Sequence, residues 1–237
     1  MLKTKIVPSD FIVQVRDHSS TLSAEIEQTI NEIWETEKIK RGGKLFNGQI
    51  LSFIGFEKGI LEARITDYRT YLAQMRAPHL YDALRIRTLA VSGFVALGSE
   101  VVFGKRAVHL TQDAGKWELV PSGGLTPRAL DSSGRISIEE QFFEELEEEL
   151  RLPRKMVVSM RPFLFVEDMK TRVIDIGIDV ALSGTRSDID VALKRRSDEY
   201  SEIRWIDAGE INQFCSVERS GIVEVSLELL KAKKLLL

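Results

Sequence analysis

The stretch from Ser137 to Pro153 admits few conformations. Seven of the eleven residues from Glu139 to Glu149 are Glu, with no Lys or Arg among them. Ser137 followed by Glu140 forms a capping box, and Pro153 is a stop signal. Ile138, Phe142, Leu146 and Leu150 recur every four residues as one apolar stripe, so the spacing predicts a helix that buries this stripe. At about 100° per residue, Glu149 lies about 60° from Leu146, Glu145 about 100° and Glu148 about 160°, all to the same side. Three carboxylates therefore begin at the edge of the buried face. Each like-charged i,i+3 or i,i+4 pair costs roughly 0.2–0.5 kcal/mol. Such a run can be a plain solvated face, and a hard divalent cation taking oxygen ligands would offset the cost.

Around this helix the chain has the apolar content of a globular protein, 43% hydrophobic against 29% charged. A net charge of −3 gives no reason to expect nucleic-acid binding, and no basic, aromatic-interleaved surface suits RNA. A single cysteine, Cys215, excludes an intramolecular disulfide and fits a reducing cytoplasm. Lys3 and Lys5 are not followed by a continuous apolar run, and the apolar stretch Leu89–Leu97 is interrupted by Ser92 and Gly93. Neither reads as a signal peptide or a membrane span, so the expectation is a cytoplasmic protein without a membrane partner. The three histidines, His18, His79 and His109, have no metal-ligand spacing.

Residues 10–16 read as a strand, and 21–40 as a helix with Leu22, Ile26, Ile30 and Ile33 on one face. A hairpin follows over 49–56 and 60–65 around Lys58-Gly59, then a short helix from Asp67 to about Met75. Residues 1–80 form a small α+β extension. From residue 81 onward, strands are expected at 85–97, 100–107, 117–120, 156–166, 173–182 and 202–206. The acidic helix, a helical turn at 207–214 and a closing helix over 217–235 are interspersed among them. Strands and helices mixed in this way give an α/β fold with a mixed sheet. The apolar end, Leu235-Leu236-Leu237, suits either a homodimer interface or the chain's own core.

Trp117-Glu-Leu-Val-Pro-Ser-Gly123-Gly124, a loop, and Glu144-Glu-Leu-Glu-Glu-Glu-Leu-Arg-Leu152 together resemble the Nudix hydrolase signature. The family's three metal-binding glutamates fall on Glu145, Glu148 and Glu149, the residues that the helical wheel groups. Gly123 and Gly124 match its paired glycines, where a backbone carbonyl joins the metal site. The chain departs from the pattern at Ile136 and Glu144, which stand where the family has a paired Glu and Arg. Losing both at once strands no charge. Arg151 replaces the glycine after the helix, where a left-handed turn would be costly. The loop after Gly124 is also longer than the family's. Leu45-Phe-Asn-Gly48, Thr66-Asp-Tyr68-Arg69 and the Leu-Pro after the acidic helix look like the subgroup that cleaves UDP-glucose and UDP-galactose.

This resemblance implies a Nudix-type α/β/α sandwich over 81–237 and hydrolysis of a nucleoside diphosphate linked to another group. Mg²⁺ or Mn²⁺ would be held by Glu145, Glu148, Glu149 and Gly123, with Glu148 or Glu149 assisting proton removal from water. Arg106 and Lys105 are the first candidates for diphosphate contacts, followed by Arg87; Gly124 and Tyr68 complete the expected substrate-binding set. Glu167 and Asp168 are candidates for a further acidic ligand. Tyr68 and Arg69 match the subgroup's Tyr-Arg pair and could equally seat the extension on the core. Two readings compete with the hydrolase: a Nudix-like module that binds a nucleotide or sugar nucleotide without cleaving it, and an interaction protein whose acidic helix meets a basic partner.

Overall fold

The computed structural model describes residues 1–17, 21–110 and 112–236, so His18 and Leu237 lie outside the described residues. The elements run β1 (Leu2–Ile6), β2 (Ile12–Val15), α1 (Ala24–Lys40), β3 (Gln49–Glu57), β4 (Ile60–Asp67), α2 (Tyr68–Arg76) and α3 (Tyr81–Leu84). They continue through β5 (Thr88–Leu97), β6 (Glu100–Arg106), β7 (Trp117–Leu119), β8 (Ser122–Gly124), β9 (Arg135–Ile136) and α4 (Ile138–Leu150). The chain ends with β10 (Val157–Asp168), β11 (Val173–Leu182), α5 (Arg186–Leu193), β12 (Tyr200–Asp207), α6 (Ile211–Val217) and α7 (Glu224–Ala232). Five of these escape the sequence reading: β1, β8 and β9 are short or polar and take their hydrogen bonds from distant strands, while α3 and α5 are brief helices with little apolar periodicity. The closing helix expected over 217–235 begins only at Glu224, after a 3₁₀ turn at Arg219–Gly221.

The sheet is mixed, as expected of an α/β protein. Its path runs β1-β10-β11-β5-β3-β4-β2-β9, with β6, β7, β8 and β12 branching from β5 and β6. The pairs β5/β11 and β2/β4 are parallel, and the others are antiparallel. Hydrogen bonding crosses residue 80 without interruption, because β3 meets β5 at Ser52 and Thr88 and β1 runs along β10.

Alternation along β11 sets the layers. Ile174, Ile176, Ile178 and Val180 face a core shared with Phe142, Leu146 and Leu150 of α4 and with Ile189 and Leu193 of α5. The opposite face carries a second core, where Phe94, Phe103 and Val166 meet α6 and α7 through Ile211, Cys215, Leu229 and Leu230. Helices thus cover both faces of the sheet. Leu235 and Leu236 pack against this second core. A third cluster joins Ile30 of α1 to Tyr71, Leu80, Leu84 and Ile86. No helix among the described residues is long and apolar enough to cross a membrane.

The capping of α4 realises only half of the expected capping box at its start and departs from the sequence reading at its end. Ser137 Oγ accepts from the Glu140 N–H at 3.1 Å, while the Glu140 carboxylate turns away to pair with Arg154. Arg151 nevertheless takes the left-handed conformation (φ 58°) at the C-terminus. A non-glycine residue there carries a penalty of roughly 1–2 kcal/mol. The turn drives the following Leu152 into full burial, which offsets that cost.

Glu37, near the end of α1, accepts from Arg76 at 2.9 Å and Lys40 at 3.0 Å. The Arg76 hydrogen bond, helped by Lys40, draws its carboxyl down from 4.5 to about 2. A carboxyl depressed on folding contributes stability that is fully present above pH 4.5 and is lost as pH falls through about 2. We predict that Glu37→Gln flattens the acid limb of the stability–pH curve between those values, with thermal melts as the readout. An unchanged limb would refute the pairing.

Candidate functional site

The acidic face of α4 meets the backbone of β8. Leu146 and Leu150 point into the core, so Glu149 is carried inward with them and is 3% exposed. Its Oε2 accepts from the Ser122 N–H at 3.1 Å and lies 2.7 Å from the Tyr200 hydroxyl. Burial pushes Glu149 well above the ordinary carboxylate range, against the pull of the Tyr200 hydrogen bond and with repulsion from Glu145 and Glu199 adding to it. Burial likewise moves Glu145 up to about 7, reinforced by Glu148, Glu199 and Glu144. Glu148 is exposed.

Gly123 is the contact point between helix and strand. A Cβ built there would come within 2.1 Å of the Glu145 carboxylate carbon and 2.3 Å of both its oxygens. Only glycine leaves that carboxylate room against the strand. Ser122, Gly123 and Gly124 pair with Ser92, Val91 and Ala90 of β5, which fixes the β8 backbone in place. Gln141 secures the exit from β8 by accepting from the Thr126 N–H at 2.7 Å.

The same three β8 residues wall a cavity of about 310 Å³. Arg106 and Glu118, Ser92 and Asp175, and Tyr68 and Tyr71 also line it. Arg106 Nη1 donates to Glu118 Oε1 at 2.6 Å. That oxygen also lies 3.1 Å from the Tyr200 hydroxyl. Burial holds Glu118 up at about 7 even against the neighbouring guanidinium. A tyrosine hydroxyl carries one hydrogen, so Tyr200 donates to one of its two carboxylates and must accept a proton from, or merely abut, the other. A continuous polar chain, Arg106–Glu118–Tyr200–Glu149, thus links the cavity wall to the acidic helix.

Of the residues that the sequence nominates, Gly123, Gly124, Arg106 and Tyr68 line this cavity, and Glu145 and Glu149 adjoin it through β8. Two others lie elsewhere. Arg87 forms a bidentate pair with Glu167 at 2.8 and 2.7 Å and lies over the Phe53 ring. The Lys105 ammonium lies over Trp117, 5.5 Å from the ring centroid. Glu167 is occupied by Arg87, while Asp168 lines the cavity and accepts from the Lys170 N–H and the Thr171 hydroxyl. The acidic neighbour that does approach the helix is Glu199, placed there by the Ser197 N–H bond to the Glu149 carbonyl at 2.9 Å. Arg69 donates to Asn31 of α1 and so ties the first helices together.

The donor set has the chemistry of a hard divalent cation: carboxylate oxygens, partly desolvated, with mutual repulsion outweighing the one cation, Arg128, that acts on Glu145. As they stand, no three acidic, histidine or cysteine side chains among the described residues are gathered closely enough to enclose an ion. Closing the set requires Glu148 and Glu145 to turn toward Glu149, a rotation of exposed or half-buried side chains. On this ground the residues fit the metal.

Glu118, Tyr200, Asp175 and Glu199 are missed by the sequence reading. Glu118 offers the clearest signal, a lone acid between Trp117 and Leu119 on a strand whose flanking positions are apolar. Tyr200 carries none, since its role depends on β12 pairing with β6.

No known family model matches the chain, and no curated protein matches it. Solved structures give looser likenesses. A protein of Deinococcus radiodurans is similar at 13% identity and a TM-score of 0.46, covering 61% of this chain and 82% of that one. A MutT protein of Methanosarcina mazei is similar at 19% identity and a TM-score of 0.43, covering 62% and 93%. A bifunctional NMN adenylyltransferase/ADP-ribose pyrophosphatase of Francisella tularensis, solved with AMP and a manganese ion, is similar at 14% identity and a TM-score of 0.43, covering 68% of this chain and 46% of its own. Likeness at this level is one of outline, and the functional reading rests on the chain's own residues.

Proposed function

We propose that this chain is a Nudix-type, divalent-metal-dependent hydrolase that cleaves the diphosphate joining a nucleoside to another group. The substrate we favour is a UDP-sugar, giving UMP and a sugar 1-phosphate. The observation that carries the reading is the meeting of Glu145 and Glu149 with Gly123 and Ser122, behind the β8 wall of a cavity that Arg106 also lines. Residues 1–80 form an extension that contributes Tyr68 and Tyr71 to that cavity.

Glu145, Glu148, Glu149 and the Gly123 carbonyl would hold Mg²⁺ or Mn²⁺, which when bound neutralises diphosphate oxygens and activates water. The chain's own groups do the rest. Ser122 N–H and Tyr200 engage Glu149 Oε2, leaving its other oxygen without a hydrogen bond among the described residues. Glu148, exposed beside the cluster, takes the proton as the water oxygen bonds to phosphorus and the bridging P–O bond breaks. Arg106 offers positive charge to the diphosphate at the cavity wall.

Product analysis tests the reading directly, with Mg²⁺ and then Mn²⁺ over UDP-glucose, UDP-galactose, ADP-ribose and NADH. UMP with a sugar 1-phosphate is the expected result. Cleavage of another member would keep the reaction and replace the substrate. A binding module without turnover is the second reading, favoured by the Arg106–Glu118 pair that already occupies the guanidinium. Silence across the panel, with ligand still raising the melting temperature, would decide for it.

Gly123→Ala separates site from scaffold. The new methyl meets the end of a flexible side chain, so Glu145 swings away while the fold remains. The melting temperature should stay close to wild type, its increase with Mn²⁺ should shrink, and turnover should fall about 10²-fold, the usual cost of an ångström-scale misplacement. Wild-type turnover would remove Glu145 from the metal set.

A further inference from the structure

Along β11 the side chains on the α7 face meet three different fates. Asp179 is paired with Arg161 at 3.1 Å and Lys233 at 2.9 Å. Gly177 lies directly under α7, where a Cβ would come within 2.4 Å of Leu229. Asp175, two residues earlier, emerges from beneath the helix into the cavity wall. It is 7% exposed, and its Oδ1 accepts from the Ser92 hydroxyl at 2.9 Å. Among the described residues nothing donates to its Oδ2, and that oxygen is not sealed from solvent-sized space.

The other acids of the cavity wall differ. Asp113 pairs with Lys116, Glu118 with Arg106, and Asp168 accepts from a backbone N–H and a hydroxyl. Asp175 alone has a single hydroxyl donor. A buried carboxylate with one donor is costly, and burial holds it up at about 6. The cavity wall carries four carboxylates against one guanidinium, so a bare diphosphate would be repelled from its depth. An uncharged group rich in N–H or O–H donors would be drawn in.

We propose that Asp175 is a specificity-determining residue whose Oδ2 accepts an N–H or O–H donor from the substrate's uncharged end, while the anionic end stays beside Gly123 and Glu149. This deepens the hydrolase reading and rests on it for the substrate's orientation. Two groups supply such a donor, the imide or amino N–H of a base and a hydroxyl of a sugar.

Calorimetric titration of UMP and of glucose 1-phosphate, each with Mg²⁺, into wild type, Asp175→Asn and Ser92→Ala distinguishes them. Asparagine keeps the shape and the Ser92 contact and turns Oδ2 into a donor. One of the two probes should bind Asp175→Asn about 10–100-fold more weakly while the other is unchanged. Loss of UMP affinity assigns the base to Asp175, and loss of glucose 1-phosphate affinity assigns the sugar. Ser92→Ala should weaken the same probe to a lesser degree, and it serves alone if Asp175→Asn does not fold. Equal binding of both probes to wild type and variants overturns the proposal, as does failure of both to bind wild type. Selective weakening without any hydrolysis would uphold the Asp175 subsite and overturn the hydrolase. Hydrolysis with indifferent variants would do the reverse.

Discussion

Glu148→Gln is expected to reduce metal-dependent turnover to background while leaving the fold as stable as wild type or slightly more so. The two effects have opposite signs for one reason. Glu148 is exposed and has no hydrogen-bond or ion-pair partner among the described residues, so nothing in the fold depends on its charge. It faces Glu144 and Glu145 at i−4 and i−3, and removing two such repulsions returns roughly 0.2–0.5 kcal/mol each. The same charge is one of three that would hold the divalent ion and the nearest group to accept a proton from water. Melting curves and initial rates on one preparation settle the matter. A variant that melts early, or one that keeps its rate, would show Glu148 to be structural or idle.

Phe142→Ala should destabilise the protein by about 3–5 kcal/mol, the range for deleting a buried aromatic from a packed core. Phe142 is fully buried in the core beneath β5, and its ring lies so close to Gly93 that a Cβ there would come within 2.7 Å of Cζ. Against a typical total of about 5–15 kcal/mol, the loss is a large share. Urea unfolding gives the value, and a change below about 1 kcal/mol would mean that the core collapses into the space. Because Phe142 sits on the stripe that seats Glu145 and Glu149, residual turnover should fall with the stability.

Much of the scaffold was legible. Strict alternation along β11 and the four-residue recurrence of Ile138, Phe142, Leu146 and Leu150 predict their own burial, because side-chain direction is locked to backbone period. The edge position of Glu149 follows from the same geometry, and the Ser137 half of the cap from the serine itself. Ile26, Ile30 and Ile33 of α1 face the third cluster as their spacing requires, and Leu22, just before the helix, packs on it too. The left-handed turn at Arg151 reads poorly from sequence, since its penalty is local and its compensation, the burial of Leu152, is not.

What sequence alone determined is which side chains point together along each helix and strand, for that depends on neighbours three, four or two residues apart. What only the tertiary structure decided is which faces meet. Arg106 becomes a wall of the cavity through Glu118, twelve residues away. Glu149 gains Tyr200, fifty-one residues away, and Asp175 gains Ser92 across eighty-three. Arg87, equally plausible from its strand position, is claimed by Glu167 across eighty. Pairings over such separations depend on β5, β6, β11 and β12 finding register in one sheet. No periodicity within a segment encodes that choice, since each strand's pattern is satisfied equally well by any partner that buries its face.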